Sequence, residues 1–313
     1  MIRSRVAGIG VWCVLFLVGC ATAPGVGPGP GPEESLEVET GEEPMLTAGI
    51  WDVERGEAVE KEEFFRRMES MTVVLVGESH GTEFHHQVQS AIYEEMSRRR
   101  PGEVLLGMEM VEHRFQEVLD AYLGGEVREE EWLEEVEWST RWGVDPELYA
   151  PMWRLAREKE QRVVGLNAQR ELVRRVREVG LEGLSEEERA GLPEVFLGNE
   201  EHRAFLHAIF AAHGMGDQPE VIELFYQAQV VWDETMAATA VEALKEASGE
   251  SQIMVIAGRF HVERGYGIPS RMIRRGVEAE KVVLLIPVTE EMESYRDLEF
   301  LRREGIADYV WVD

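Results

Sequence analysis

Two short segments of this 313-residue chain repeat one pattern, an apolar run that ends in Gly-x-x-His. The first covers residues 73–80 and ends in His80, and the second covers residues 253–261 and ends in His261. Uninterrupted apolar runs of this length are typical of strands buried in a parallel sheet, and a glycine at the end of such a run marks a sharp turn. Because ligands in open α/β sheets bind at the carboxyl ends of strands, the repeat predicts a functional site that contains both histidines.

Other apolar runs predict further strands of the same sheet. They are separated by helical patterns and cover residues 104–108, 162–166, 282–288 and 309–312. Residues 50–53, followed by a turn at 54–57, indicate a small hairpin that precedes this sheet. Between about residues 170 and 246 only helical patterns occur. We therefore expect an α/β fold, with a mostly parallel sheet flanked by helices and a large helical insertion, or subdomain, at about 170–246.

Polar side chains stand at the ends of four predicted strands, namely Glu78 with His80, Glu109, Asn167 and His261. A buried parallel strand needs no polar residue at its tip, so this recurrence predicts one shared crevice at the carboxyl edge of the sheet. Two of these residues also have simpler interpretations. Asn167 could cap a turn or helix instead of contacting a ligand, and Glu109 could be a solvated loop carboxylate.

Two kinds of chemistry suit these side chains. His80 and His261 with Glu78 or Glu109 form a two-histidine, one-carboxylate set, which suits zinc, manganese or iron and leaves coordination positions open. Without a metal, Glu78 or Glu109 could act as a general base while a histidine stabilises developing charge. The residues alone leave both alternatives open.

Three more side chains near the two motifs are candidate ligand contacts: His85, His86 and Tyr266. Adjacent residues of a helix point about 100° apart, so His85 and His86 seldom bind one ion, and one of them is expected to face the crevice. A tyrosine or a histidine is an established axial ligand of haem iron, and arginines near Tyr266 could pair with haem propionates. The alternative for Tyr266 is simple packing in a turn.

The first twenty residues predict a lipoprotein signal peptide. Two arginines precede an apolar stretch that is too short to span a bilayer comfortably, and this stretch closes in Leu-Val-Gly-Cys, which resembles the bacterial lipobox. Cys20 would be lipidated after cleavage and Cys13 would leave with the signal, so no disulfide is expected. The segment predicts a protein that is exported and lipid-anchored to a bacterial membrane, at the periplasmic or surface face of the outer membrane.

Residues 21–46 are rich in proline, glycine and acidic side chains and predict a flexible tether, which leaves residues 47–313 for the α/β domain. The chain carries 61 acidic and 32 basic residues, a net charge of −29 at pH 7. Such a charge repels nucleic acid and anionic membrane surfaces, so neither is an expected partner. Contact with a membrane should come from the lipid anchor alone.

Taken together, these motifs resemble those of the ChaN-type haem-binding lipoproteins, within a wider superfamily of Tiki proteases, TraB proteins and erythromycin esterases. The resemblance is spread over about residues 48–275, and its matching pieces are Gly77-Glu78-x-His80, His85-His86, Gln89, Glu109-Met110, Trp142, Tyr149-x-Pro151, Leu166-Asn167-Ala168, Gln229, Asp233, Met236-Ala237, Gly258-x-x-His261 and Tyr266-Gly267-Ile268-Pro269. One departure is Arg259-Phe260, where the family pattern leads us to expect small residues. A bulky cation and ring at that point could alter or close the site.

The resemblance implies a protein that binds haem or a related porphyrin cofacially between two protomers and serves haem and iron uptake, with a homodimer formed on ligand binding. The candidate haem contacts are His80, His85, His86, Asn167, His261 and Tyr266. The wider superfamily implies the alternative of a hydrolase, either metal-independent or dependent on zinc or manganese, with Glu78 and Glu109 as catalytic residues. We expect a lipid-anchored haem-binding protein and retain the hydrolase as the alternative.

Overall fold

An eight-stranded sheet lies at the centre of the computed structural model, which describes residues 45–212, 218–247 and 249–313. The strands, in chain order, are β1 Gly49–Asp52, β2 Glu57–Val59, β3 Val73–Glu78, β4 Val104–Glu112, β5 Val163–Asn167, β6 Gln252–Gly258, β7 Val282–Val288 and β8 Tyr309–Val312. In space they follow the order β2-β1-β8-β7-β3-β6-β4-β5. The predicted signal peptide with Cys20, and residues 21–44 of the predicted tether, lie outside the described residues.

The sheet is mostly parallel, as predicted. Every neighbouring pair from β8 through β7, β3, β6 and β4 to β5 is parallel. The predicted hairpin is formed by β1 and β2, and β1 also pairs antiparallel with β8. The hairpin therefore extends the main sheet at one edge.

Helices flank the sheet. In the described residues they are α1 Lys61–Met68, α2 Glu83–Arg99, α3 Gln116–Leu123, α4 Glu129–Glu135, α5 Trp138–Arg141, α6 Ala150–Glu158, α7 Arg170–Val179, α8 Glu186–Ala190, α9 Glu200–Phe210, α10 Pro219–Glu246, α11 Arg259–Val262, α12 Ile268–Arg274 and α13 Leu298–Glu304. The predicted helical insertion is confirmed as α7 to α10, which the chain forms between β5 and β6. Within the described ranges, no helix is both long and apolar enough to cross a membrane.

Apolar side chains cover both faces of the sheet. In β3, Val74 and Val76 belong to one core, which also contains Trp132. Val73 and Leu75 belong to a second core on the opposite face. Because both faces are buried, the central strands are continuous apolar runs rather than alternating ones, and this made them predictable from the sequence.

The fourth strand is longer than the sequence predicted. We expected the strand to end before Glu109, whereas β4 continues to Glu112. The pairing of β4 with β5 shifts register between Met108 and Glu112, as it does at a β-bulge. Glu109 therefore stands within β4, in a stretch where regular strand alternation does not determine the direction of its side chain.

Candidate functional site

The two Gly-x-x-His motifs lie side by side. The neighbouring strands β3 and β6 are parallel, and their register pairs Glu78 with Gly258. A Cβ atom on Gly258 would lie 3.0 Å from Nε2 of His80, and one on Gly77 would lie 3.0 Å from the Cα atom of Arg259. The glycine of each motif therefore makes room for residues that follow the other strand, which is a physical reason for glycine in both.

Glu78, at the end of β3, is buried and accepts three hydrogen bonds. Its Oε1 atom accepts from Nδ1 of His80 at 2.6 Å and from the hydroxyl of Tyr149 at 2.7 Å. Its Oε2 atom accepts from Nε2 of Gln89 at 2.7 Å. Burial raises the pKa of Glu78, but the hydrogen bond and the charge of His80 outweigh burial, so the pKa lies below its ordinary value. Glu78 is thus an ionised carboxylate in a fixed orientation.

His80 is the most accessible of the four candidate histidines, with 21% of its side chain exposed. Burial lowers the pKa of His80, but the hydrogen bond to Glu78 and the charge of Glu109 prevail, so the pKa lies above its ordinary value. The ring packs edge-to-face against Trp142, with the ring centroids 4.6 Å apart. His80 is therefore oriented by a carboxylate on one side and by an indole ring on another.

His261 is held between two carboxylates. Its Nδ1 atom donates to Oδ1 of Asp233 at 2.6 Å, and its Nε2 atom lies 3.4 Å from Oε1 of Glu109. Burial lowers the pKa of His261, but the charges of Glu109 and Asp233 raise it to about 10. A histidine that is protonated in this way donates from both nitrogens and has no lone pair for a metal. His261 is thus a buried imidazolium at neutral pH.

Glu109 completes this group from β4. Its Oε2 atom accepts from the backbone N–H of Gly258 at 2.6 Å. Burial raises the pKa of Glu109, but the charge of His261 and the hydrogen bonds lower it to about 2. The structure therefore brings Glu78, His80, Glu109 and His261 together at the carboxyl edge of the sheet, as the sequence predicted.

His85 and His86 are both buried in the first turns of α2. Nδ1 of His85 accepts from the backbone N–H of Ser79 at 2.8 Å, so His85 supports the turn that follows β3. Burial lowers the pKa of His85 to about 4 and also lowers the pKa of His86. Nδ1 of His86 lies 3.4 Å from Oε2 of Glu78. Of the two, His86 is the one that adjoins the crevice.

Asn167 uses its side-chain amide on the backbone. Its Nδ2 atom donates to the carbonyl oxygen of Glu109 at 2.8 Å, and its Oδ1 atom accepts from the N–H of Ala168 at 2.8 Å. It therefore connects the end of β5 to β4 and begins the turn into α7. This is the turn role that the sequence had left open for Asn167.

Tyr266 lies beside the helical insertion and is half-buried. Its ring packs against Phe205 of α9, with centroids 6.1 Å apart. The other side of this contact is Phe260 of α11, whose ring lies 6.2 Å from that of Phe205. We call Phe205, Phe260 and Tyr266 the aromatic wall. The hydroxyl of Tyr266 makes no hydrogen bond to any part of the chain that the structure describes.

Arg259, the cation that departs from the family pattern, is engaged by its own neighbours. Its Nη1 atom donates to the hydroxyl of Tyr295 at 2.6 Å and lies 3.5 Å from Oε2 of Glu263. The Tyr295 hydroxyl donates to the same Glu263 carboxylate at 2.7 Å. The guanidinium therefore pairs with Glu263 rather than with Glu78 or Glu109.

Comparison with known families decides the affiliation of the chain. The sequence model of the family described as "Haem-binding uptake, Tiki superfamily, ChaN" matches residues 64–272, which is more than half of the chain. The chain belongs to this family. Its membership agrees with the resemblance drawn from the motifs, most of which lie within the matched residues.

This ChaN-family chain is also similar to two solved structures and to one plant protein. The structure described as cofacial heme binding to ChaN of Campylobacter jejuni matches with a TM-score of 0.65 at 18% identity and covers 83% of this chain and 94% of that one, which establishes the shared fold. A mutant of the erythromycin esterase EreC matches with a TM-score of 0.45 at 12% identity, covering 79% and 77%. Protein RETICULATA-RELATED 5, chloroplastic, of Arabidopsis thaliana is 29% identical over 177 residues, which are 52% of this chain and 23% of that protein. The chain thus spans under a quarter of that relative's length.

The predicted metal set remains a prediction. In residues 45–212, 218–247 and 249–313, no group of three or more His, Cys, Asp or Glu side chains is arranged to hold a metal ion. Glu78 and His80 are hydrogen-bonded to each other, and His261 is bonded to Asp233. The zinc or manganese set of Glu78, His80 and His261 would need these side chains to rearrange.

Several site residues of this ChaN-family chain come from helices. The family motifs include Gln89, Tyr149, Gln229 and Asp233, which were not predicted to belong to the site. Gln229 and Asp233 are four residues apart on α10 and both contact His261. Two polar residues four positions apart on one helix are the signal that could have identified them.

Proposed function

We propose that this chain is an exported, lipid-anchored protein that binds haem and serves haem and iron uptake. Membership in the haem-binding uptake family supports haem as the ligand. The ChaN structure that shares the fold is described as binding heme cofacially, which supports the same class of ligand. The observation in this chain that carries the proposal is the phenol of Tyr266 at the aromatic wall, which makes no hydrogen bond to the described residues.

Tyr266 is the candidate best suited to contact the iron. His85 and His86 are buried, and His261 is an imidazolium bonded to carboxylates. His80 is partly accessible, but its Nδ1 atom is held by Glu78 and its Nε2 atom lies close against Gly258. Tyr266 is a half-buried residue, and a tyrosine oxygen is an established axial ligand of haem iron.

The surroundings of Tyr266 suit a flat aromatic ligand that carries carboxylates. Phe205 and Phe260 are half-buried and present apolar ring surface beside the phenol. The guanidinium of Arg264 lies 4.7 Å from the centroid of the Phe205 ring and also pairs with the carboxylate of Glu304 at 2.7 Å. Stacking against aromatic rings together with a nearby cation is the environment that a porphyrin with propionate groups requires.

The lipid anchor and the dimer belong to the same proposal. Cys20 closes a lipobox-like sequence, so we propose that it is acylated and holds the domain at a bacterial outer membrane through the segment 21–46. Cofacial haem needs two protomers, and we propose that haem binding and dimer formation occur together. Mass spectrometry of Cys20 in its cellular form, and the sedimentation coefficient with and without haemin, test these two parts.

The test of the ligand site is a titration of the full-length chain with haemin, compared with Tyr266→Phe. We expect Tyr266→Phe to weaken binding and shift the Soret band, because the ring stays and only the oxygen is lost. Tyr309→Phe is the matched control, since the Tyr309 hydroxyl accepts from Arg67 and belongs to β8. An unchanged spectrum in Tyr266→Phe, with the band lost in His80→Gln, would move the iron ligand to His80.

A hydrolase at the same crevice is the second candidate. The ionised carboxylate of Glu109 is buried beside the imidazolium of His261, and Glu78 is buried beside His80. Strongly shifted pKa values such as those of Glu109 and His261 are concentrated at catalytic sites. Metal analysis of the purified chain discriminates between the candidates. About one zinc or manganese per chain, lost in both His80→Ala and His261→Ala, together with no haemin binding, would favour the hydrolase.

A further inference from the structure

Lysine is rare in this chain, and its distribution is uneven. The sequence contains four lysines, Lys61, Lys159, Lys245 and Lys281, among 32 basic residues. Lys245 and Lys281 line the same cavity although they are 36 positions apart in sequence. A pair of ammonium groups at one cavity is unexpected in a chain with a net charge of −29.

This cavity, which we call the lysine cavity, has a volume of about 280 Å³. Its walls come from the C-terminal part of α10, from the residue before β3, and from the connection between α12 and β7. Its lining residues are Thr72, Val241, Leu244, Lys245, Arg275, Gly276, Val277, Glu278 and Lys281. Its volume is close to the lower limit of about 300 Å³ for small-molecule pockets, so it suits a small ligand.

The lysine cavity has an excess of positive charge. Within the described residues, neither Lys245 nor Lys281 forms an ion pair, and Lys281 donates only to the carbonyl oxygen of Ser70 at 3.0 Å. By contrast, Lys61 lies 5.1 Å from the centroid of the Trp311 ring, and Lys159 pairs with Glu158 at 2.9 Å. Each lysine outside the cavity therefore has an aromatic or carboxylate partner among the described residues, and neither lysine of the cavity has one.

Two other charged groups line the lysine cavity. The guanidinium of Arg275 pairs with Glu234 at 2.6 Å, so its charge is largely balanced. Glu278 contributes one negative charge to the lining. The two ammonium groups thus outnumber the one unpaired carboxylate.

The floor of the lysine cavity is apolar, with side chains from Val241, Leu244 and Val277. Gly276 has a φ of +101°, a conformation that suits glycine, and a Cβ atom there would meet no atom within 4 Å. The backbone at this point therefore leaves the cavity open. An apolar floor below two cations matches a ligand that combines an anionic group with a short apolar body.

The lysine cavity is separate from the proposed haem site. Thr72 precedes β3, whereas Tyr266 follows the carboxyl end of the parallel neighbour β6. Six strand residues span roughly 20 Å, so the cavity lies at the amino edge of the sheet and the haem site lies at the carboxyl edge. We propose that the lysine cavity binds a small organic carboxylate that carries a short apolar chain.

The test uses the small number of lysines. Reductive methylation with ¹³C-formaldehyde keeps the charge of each ammonium group and gives the full-length protein one methyl signal set per lysine. Sodium octanoate is the probe, added at constant ionic strength. We expect the signals of Lys245 and Lys281 to shift and saturate together, while those of Lys61 and Lys159 stay in place.

Two results would overturn the proposal. One follows if Lys245 serves only its helix, and the other follows if inorganic phosphate acts as octanoate does. Lys245 lies in the last turn of α10, where a cation favours the helix dipole without any ligand. If this is its whole role, octanoate leaves all four signals unchanged and the proposal is wrong. Equal shifts with phosphate and octanoate would also overturn it, because the apolar floor would then not contribute.

Calorimetric titration with octanoate gives a second test on unmodified protein. Lys245→Gln and Lys281→Gln should each weaken octanoate binding at least several-fold, and Lys159→Gln, an exposed lysine outside the cavity, should leave it unchanged. Equal weakening in all three variants would show a general charge effect and contradict the proposal. Haemin binding by the same variants should match that of the wild-type chain, so this proposal and the proposed haem function can fail independently.

Discussion

The His80 ring lies directly against Gly258, so close that a Cβ atom on Gly258 would be 3.0 Å from Nε2 and 3.1 Å from Cε1 of the ring. The histidine of the first motif thus occupies the space left by the glycine of the second. This contact joins two segments that are far apart in sequence, and it places the His80 ring between Glu78 and the end of β6. The repeated pattern in the sequence is therefore one packed unit in the structure.

The first prediction concerns this contact. Gly258→Ala would force its Cβ atom against the His80 ring, and overpacking of this kind costs about 1–3 kcal/mol. We expect a lower free energy of unfolding in urea and a His80 ring displaced from Glu78. Gly249→Ala is the control, because a Cβ atom there would meet nothing within 4 Å, so its effect should be within about 0.5 kcal/mol. Equal stability of the two variants would contradict the packing described.

The second prediction concerns the donors to Glu78. Tyr149→Phe removes a 2.7 Å hydrogen bond to a buried carboxylate, and we expect the free energy of unfolding to fall by about 1–3 kcal/mol. Tyr122→Phe is the matched control, because its hydroxyl donates to Glu129, whose carboxylate also binds Arg154 and is 20% exposed. The loss should be smaller in that variant. A larger loss in Tyr122→Phe than in Tyr149→Phe would refute the assignment.

The third prediction is the pH dependence of stability. The pKa of Glu109 falls from 4.5 to about 2 on folding, so its contribution, on the order of 3 kcal/mol, is present above pH 4.5 and lost as the pH falls towards 2. The pKa of His261 rises from 6.5 to about 10, so its contribution is present below pH 6.5 and lost as the pH rises towards 10. Denaturation curves measured at a series of pH values should show that the contribution of these two groups to the free energy of unfolding is largest between pH 4.5 and pH 6.5. Glu109→Gln should flatten the acid side and move the histidine titration, followed by NMR, to lower pH.

The fourth prediction concerns Glu234, a fully buried carboxylate of α10 that pairs with three arginines of the α12 region. It lies 3.3 Å from Arg271, 2.7 Å from Arg274 and 2.6 Å from Arg275. Glu234→Gln would leave these guanidinium groups without their carboxylate, which costs about 3–5 kcal/mol for a buried pair. The half-exposed pair of Glu223 with Arg203 is the comparison, and Glu223→Gln should cost about 1 kcal/mol or less. Thermal unfolding of both variants measures the difference, and similar values would argue against a structural role for Glu234.

The sequence predicted the central strands and the meeting of their polar ends because each signal is local. Buried parallel strands give continuous apolar runs, and a glycine after the run marks the turn. Glu78 and His261 could therefore be placed at one edge from the pattern alone. The same reasoning located the helical insertion, since residues 170–246 contain no strand pattern.

The remaining site residues depend on tertiary packing. Glu109 was placed after its strand because the bulge in β4 leaves no local trace in the sequence. Asp233 lies on α10, and Tyr149 stands immediately before α6. Helical spacing alone does not show which polar side chain faces the sheet edge. The charge state of His261 depends on Asp233 and Glu109, which come from α10 and β4. Its protonation could therefore be read only from the folded chain.

Titration of the full-length wild-type chain with haemin tests the central claim most directly. Soret absorbance reports the bound iron porphyrin, and quenching of tryptophan fluorescence reports its proximity to the domain, where Trp142 adjoins His80 and Trp232 lies 6.2 Å from the His261 ring. We predict that both signals change together and saturate at one haemin per chain. A linear, unsaturable increase in absorbance without a matching plateau in fluorescence would contradict a haem-binding function.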